Sequence, residues 1–257
     1  MKQFKAICCG GSPPPGAGRP SLRLARFLLA AVILCISPPA FAAESRPPDS
    51  LREAASGLFP VGVGISDRIP DRPADWPLLT AQFNWVTPEN CLKPDPVQRA
   101  EGKFDFTRAD AFVHFAAANR LQIVGHCLVW AKDDRTPPWF YRDGAEPAGR
   151  RLLLARMKTH IDTLVGRYRG RIAMWDVVNE ALDDGPAFLR PSGWSAACGE
   201  EFLAKAFEFA HAADPQALLI YNDYNNELPA KRAKLVRLVQ SLRAKNVPLH
   251  AVGLQGH

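Results

Sequence analysis

A chain of 257 residues, 47% hydrophobic and 23% charged, has the composition of a soluble globular protein and the length of one large domain or two small ones, so disorder is excluded as its default state. The formal net charge of +6 invites a polyanionic partner, but residues 1–42 hold Lys2, Lys5, Arg19, Arg23 and Arg26 and no acid, so five of the six charges sit there and the remainder is close to neutral. With no Lys/Arg block interleaved with aromatics, a nucleic-acid partner is excluded as well.

Taken in chain order, the first segment reads as a secretory leader. Basic residues precede the apolar run FLLAAVILCI (27–36), and the small residues Ala40 and Ala42 follow, with cleavage expected after Ala42. The run is shorter than the roughly 20 residues a transmembrane helix needs. The expectation is therefore a signal peptide over 1–42, a folded domain over 43–257, export to the periplasm or the medium, and no stable membrane association. Cys91, Cys127 and Cys198 remain after the leader, too few and too widely spaced for a zinc site or a disulfide framework.

Beyond the leader, strand-like and helix-like stretches alternate. LFPVGVGI near Leu58, FNWVT near Phe83, LQIVGHCLVW from Leu121, RIAMWDVVN from Arg171, ALLIYNDYN from Ala217 and HAVGLQGH from His250 are short apolar runs of the kind that form buried parallel strands. The helical stretch from Thr107 is read with Ala111, Phe112, Phe115 and Ala118 on its apolar stripe. A second, from Arg150, carries Leu153, Leu154, Met157, Ile161, Leu164, Val165 and Tyr168; two more follow, EEFLAKAFEFAHAAD and the stretch opening at Pro229. This rhythm predicts an α/β fold with a parallel sheet. Five of the strands end in ionisable or amide side chains, among them Glu89 and Asn90, His126, Asn179 and Glu180, Asn222 to Asn225, and Gln255 and His257. A closed barrel brings all its strand ends to one mouth, whereas a doubly wound sheet concentrates binding beside a glycine-rich turn that is missing here. The predicted fold is a (β/α)8 TIM barrel, of which about six β/α units are visible.

The stretches FNWVTPENCLK, FDFTRADAFVHFAAANRLQIVGHCLVW, WDVVNEAL, YNDYN and VGLQGH resemble, in order and spacing, glycoside hydrolase family 10, the retaining endo-1,4-β-xylanases. Glycoside cleavage with retention needs one carboxylic acid to protonate the leaving oxygen and a second carboxylate to trap the sugar. The resemblance implies Glu180 as general acid/base and Asn179 as the partner of the sugar 2-hydroxyl. It implies Glu89, Asn90 and Lys93 as ligands of sugar hydroxyls on the glycone side and His126 and Trp130 as the frame of the cleaved sugar. Tyr224 falls on the aglycone side, and Gln255 and His257 match the sixth-strand pair whose histidine contacts the nucleophile. Alone, Glu180 is as well explained by a structural ion pair; beside the other four stretches that explanation weakens. Asp223 is expected to orient its neighbours.

Two departures stand out. Ala131 replaces the usual histidine after Trp130, ahead of the charged stretch KDDRTPPWF, and Leu92 replaces the usual methionine. The family's nucleophile is a glutamate in a seventh strand, about thirty residues past the Gln255/His257 pair by the resemblance, so it is expected beyond the end of this chain; neither Asp176 nor Glu227 has a claim to its place. A polypeptide ending at His257 is expected to leave the edges of its first and sixth strands unpaired, to be poorly stable and to lack hydrolytic activity. The expected partner is xylan or a related β-1,4-linked polysaccharide, with no cofactor or metal and a monomeric state. Another retaining β-glycanase and a non-catalytic carbohydrate-binding barrel remain the alternatives.

Overall fold

The computed structural model describes residues 49–256 together with the backbone of Phe4–Ala6. The leader call, apart from that backbone, and His257 lie outside the described residues. Strand β1 (Phe4–Ala6) is followed by helix α1 (Leu51–Ala54), β2 (Gly62–Ile65), α2 (Trp76–Gln82), β3 (Trp85–Pro88), α3 (Pro94–Val97), α4 (Thr107–Ala118) and β4 (Gln122–Trp130). Then come a small hairpin, β5 (Arg142–Asp143) and β6 (Glu146–Pro147), and α5 (Arg150–Arg167), β7 (Met174–Asn179), α6 (Gly193–Cys198), α7 (Glu201–Ala213), β8 (Leu218–Tyr224), α8 (Pro229–Ala244) and β9 (Ala251–Gln255).

The main sheet has the order β1-β9-β8-β7-β4-β3-β2. From β2 to β9 every neighbouring pair is parallel and consecutive, apart from the separate β5–β6 hairpin. Six parallel strands whose neighbours follow one another in sequence, with helices between them, make up six units of an eight-unit β/α barrel. In the uncleaved chain one expectation fails at the edge of the sixth strand. Phe4–Ala6 pairs antiparallel with Gln255, Leu254 and Gly253, so the backbone groups of β9 facing away from β8 are partly satisfied.

Burial explains why the strands read as they do. Every residue of β7 is buried, which only a parallel strand covered on both faces tolerates. Gly125 is required on β4 because a Cβ there would sit 2.3 Å from the ring of the buried Trp175. The helical stripes are as read for α5, where Leu153, Met157, Ile161, Leu164 and Val165 are buried and Leu154 is half-buried. In α4 the stripe lies one residue away from the reading. Ala109, Phe112, Val113, Phe115 and Ala116 are buried while Ala111 and Ala118 are exposed. Ala111 and Ala118 are too small to carry face information, so the large residues Phe112, Val113 and Phe115 decide the rotation. The strand read near Leu58 also begins later, at Gly62, and Leu58 and Phe59 stay exposed ahead of it. Residues buried against this sheet contribute about 1.5–3 kcal/mol each when large and apolar. No helix among the described residues is long and apolar enough to cross a membrane.

Candidate active site

The carboxyl ends of the strands carry the polar groups, as the closed-barrel reading requires. Strand β7 is apolar apart from Asp176 until it reaches Asn179, and Glu180 follows directly. Glu180 then takes a left-handed backbone conformation, φ 57°, which ends the strand and re-aims the side chain. For a residue with a Cβ this conformation costs on the order of 1–3 kcal/mol and persists only where the surroundings hold it. They do so here: the Glu180 N–H donates to the Asn222 carbonyl at 2.8 Å, and its own carbonyl accepts from Arg190 Nε at 3.0 Å.

Both carboxylate oxygens of Glu180 have donors. Trp130 Nε1 donates to Oε2 at 3.0 Å and Gln255 Nε2 to Oε1 at 3.3 Å. Glu180 as a residue is 8% exposed, which leaves a narrow face open. Asn179 is fully buried, and its Oδ1 accepts from Asn222 Nδ2 and from Gln255 Nε2, both at 3.1 Å. Its Nδ2 has no hydrogen-bond partner among the described residues. A buried amide donor without a partner costs about 1–3 kcal/mol, which marks it as a group poised for a ligand.

Behind this pair lies a second polar layer. Asp176, two positions ahead of Val178 on β7, bonds His126 Nδ1 at 2.8 Å and Asn222 Nδ2 at 3.2 Å. The register of β4 against β7 shifts between His126 and Val129, and that of β7 against β8 between Asp176 and Val178. Such irregularities re-aim side chains beside functional sites. Gly253 on β9 makes room for the layer, since a Cβ there would lie 2.5 Å from Asn222 Oδ1. His126 packs edge-on against Trp130, ring centroids 5.7 Å apart, and Lys93 Nζ lies 5.1 Å from the Trp130 ring centroid.

The structure thus brings Asn179, Glu180, His126, Trp130, Gln255 and Lys93 together. Lys93 also donates to Asn90 Oδ1 at 3.2 Å, and Glu89 and Asn90 stand exposed after β3. Tyr224 sits at the end of β8, where its hydroxyl donates to Asp184 Oδ2 and accepts from Arg190 Nη2. Lys231, buried at the start of α8, lies 4.6 Å from the Tyr224 ring centroid and pairs with Asp184 at 2.8 Å and Asp223 at 3.2 Å. Burial pushes the Asp223 carboxyl above its usual value. Burial acts the same way on Asp184, but hydrogen bonds from Lys231 and Tyr224 outweigh it and hold that carboxyl below its usual value. Asp223 accepts from the Tyr221 hydroxyl, the Leu182 N–H and the Tyr224 N–H, as an orienting group does.

Sequence reasoning missed Asn222 as the link between Asp176 and Asn179, and it missed Arg190, Asp184 and Lys231. Asn222 stood in YNDYN beside residues already noted. The others come from a loop and a helix; Arg190 meets Tyr224 across 34 positions and Lys231 meets Asp184 across 47, with no short-range signal. Cys91, Cys127 and Cys198 are buried and free, and burial raises the Cys127 thiol well above its usual value. No group of His, Cys, Asp or Glu suited to a metal is found among the described residues.

The comparisons with known proteins point to one family. The model for glycosyl hydrolase family 10 matches residues 50–257. The chain is 42% identical over 216 residues to endo-1,4-β-xylanase A of Caldicellulosiruptor sp. (strain Rt8B.4), covering 81% of this chain and 31% of that protein. It is 43% identical over 209 residues to the β-1,4-xylanase of Dictyoglomus thermophilum, covering 81% of this chain and 57% of that one. The crystal structure of xylanase XynB from Paenibacillus barcinonensis, complexed with a conduramine derivative, superposes with a TM-score of 0.77 at 40% identity over 83% of this chain and 63% of that chain. The chain spans less than two thirds of the length of each of these relatives. With a family model over residues 50–257 and relatives more than 40% identical over 81% of its length, the chain belongs to glycosyl hydrolase family 10.

Proposed function

We propose that these residues form the acid/base half of the cleft of a retaining endo-1,4-β-xylanase. The observation that carries this reading is the pair at the end of β7: a buried carboxyl held between Trp130 and Gln255, next to an Asn179 amide whose Nδ2 has no partner among the described residues. A neutral polysaccharide offers hydroxyls and flat sugar faces, and recognition needs oriented polar groups and aromatic surfaces of this kind.

In the first step a carboxylate attacks the anomeric carbon, the bond to the leaving oxygen breaks, and Glu180 delivers its proton to that oxygen. In the second step the ionised Glu180 takes a proton from water as the water oxygen attacks the same carbon and releases the carboxylate. Asn179 Nδ2 supplies a hydrogen bond to the 2-hydroxyl that strengthens as positive charge develops on the ring. Asp176 is a poor nucleophile because His126 and Asn222 engage it. The resemblance assigns that role to a glutamate on the seventh strand of the whole protein. Glu89, Asn90 and Lys93 are assigned to glycone hydroxyls, Tyr224 to the aglycone side, and His257 to the nucleophile. The composition of residues 1–42 supports export, which N-terminal sequencing of the mature protein tests.

The whole protein is expected to release xylo-oligosaccharides from xylan, to act far less on cellulose, and to lose hydrolysis of xylan in Glu180→Gln. Equal or greater activity on cellulose overturns the xylanase assignment. Xylan binding without hydrolysis by the unmodified whole protein favours the binding barrel instead.

A further inference from the structure

The segment Arg190–Ser195, RPSGWS, lies in none of the stretches that carry the family resemblance, yet it grips the acid site from behind at two points. Arg190 Nε donates to the Glu180 carbonyl at 3.0 Å, and Trp194 Nε1 donates to the Trp130 carbonyl at 3.2 Å. Glu180 and Trp130 are also joined directly through their side chains. Both members of the central hydrogen bond therefore have their backbones tied to one short segment.

That segment is itself held on every side. The Arg190 N–H donates to the Ala181 carbonyl and the Arg190 carbonyl accepts from Ser195 Oγ, each at 2.8 Å. Pro191 biases Arg190 to extended backbone. Ser192 and Ser195 cap α6 reciprocally. The Gly193 N–H donates to Asp133 Oδ1 at 2.8 Å, and the Tyr141 ring occupies the space a Cβ at Gly193 would need. At its far end Arg190 Nη2 donates to the Tyr224 hydroxyl, with Asp184 Oδ2 at 3.4 Å. Burial opposes the Arg190 charge, but the bond to Tyr224 and the nearby acidic groups, Glu180 among them, hold its pKa above the usual value.

We propose that Arg190 is a positioning residue for proton transfer. It pins the Glu180 carbonyl in its left-handed turn and so aims the carboxyl, and its other end fixes Tyr224. The acid and the aglycone-side ring thereby keep one relative placement. The inference rests on the reading of Glu180 as the acid/base. A displacement of about 1 Å at a reacting group can cost on the order of 100-fold in rate, so a brace on the backbone of the acid has a measurable effect.

Two substrates that differ in their need for a proton test this in the whole protein. From xylohexaose a shorter xylo-oligosaccharide must depart as an alkoxide unless its oxygen is protonated, whereas 2,4-dinitrophenyl β-xylobioside releases 2,4-dinitrophenolate unaided. Arg190→Ala is expected to lower kcat/KM on xylohexaose about 10- to 100-fold while the aryl glycoside stays within about 3-fold. Arg190→Lys, which reaches the carbonyl but not Tyr224 as well, should fall between Arg190→Ala and the unmodified protein, and serves if the alanine variant does not fold. A parallel fall on both substrates, as a general loss of structure gives, or no fall on xylohexaose, overturns the proposal. Glu180→Ala separates the two levels. If it too loses both substrates in parallel, the acid/base reading fails and this inference with it; if it is selective and the Arg190 variants are not, only the inference fails.

Discussion

Trp130 donates its indole N–H to Glu180 Oε2 at 3.0 Å, joining the ends of strands β4 and β7 across 50 positions of sequence. The bond links the ring expected to frame the sugar to the carboxyl expected to protonate it. Trp130→Phe keeps an aromatic face and deletes the donor. A hydrogen bond to a charged group contributes about 1.5–3 kcal/mol, so kcat/KM on xylan should fall about 10- to 100-fold. Steady-state kinetics check this, and a change of less than about twofold contradicts the assigned role of the bond.

Asn179 offers a sharper test, because its contact to the 2-hydroxyl is expected to strengthen in the transition state. Asn179→Ala should lower kcat by about 100-fold or more while KM changes little. A rise in KM at unchanged kcat would mean that the amide binds ground state and transition state alike.

How much of this was legible in the sequence follows from the range over which each signal acts. The strands and long helices announced themselves by composition and period, and Asn179 and Glu180 stood out because an amide and a carboxyl together close a largely apolar strand. Arg190, Asp184 and Lys231 gave no such signal: each is an ordinary charged residue until folding joins the loop after β7 to β8 and α8. The α4 stripe was misplaced because Ala111 and Ala118 are apolar but small, and small residues do not decide which face is buried.

His160 makes stability depend on pH. It is buried, its Nδ1 pairs with Gln98 Oε1 at 2.9 Å, its Nε2 has no partner among the described residues, and Phe104 and Phe140 flank its ring. Burial lowers its pKa from 6.5 to about 4. Between these values the unfolded chain binds the proton and the folded one does not. Its contribution is therefore complete above pH 6.5 and is lost as pH falls toward about 4, by about 3 kcal/mol across that window. Urea unfolding as a function of pH should show a steeper loss for the unmodified protein than for His160→Gln; equal slopes contradict the assignment.

Two glycine substitutions should have opposite signs. Gly125→Ala forces a Cβ to within 2.3 Å of the Trp175 ring and should destabilise by about 1–3 kcal/mol or more. Gly166→Ala lies in α5 with no atom within 4 Å of the new Cβ and should stabilise by about 0.5–1 kcal/mol. Thermal melting reads both, and a stabilised Gly125→Ala variant would contradict the packing of β4 on β7.

The most direct test of Glu180 as proton donor is the configuration of the product that azide gives with Glu180→Ala in the whole protein acting on 2,4-dinitrophenyl β-xylobioside. With the acid/base removed and the nucleophile intact, azide enters from the face that Glu180 vacates and displaces the carboxylate of the covalent intermediate. The account predicts β-xylobiosyl azide, identified by NMR, together with a rate that rises with azide concentration. The α-azide would mean that position 180 is the nucleophile, and no azide product at all would mean that its carboxyl takes no part in the reaction.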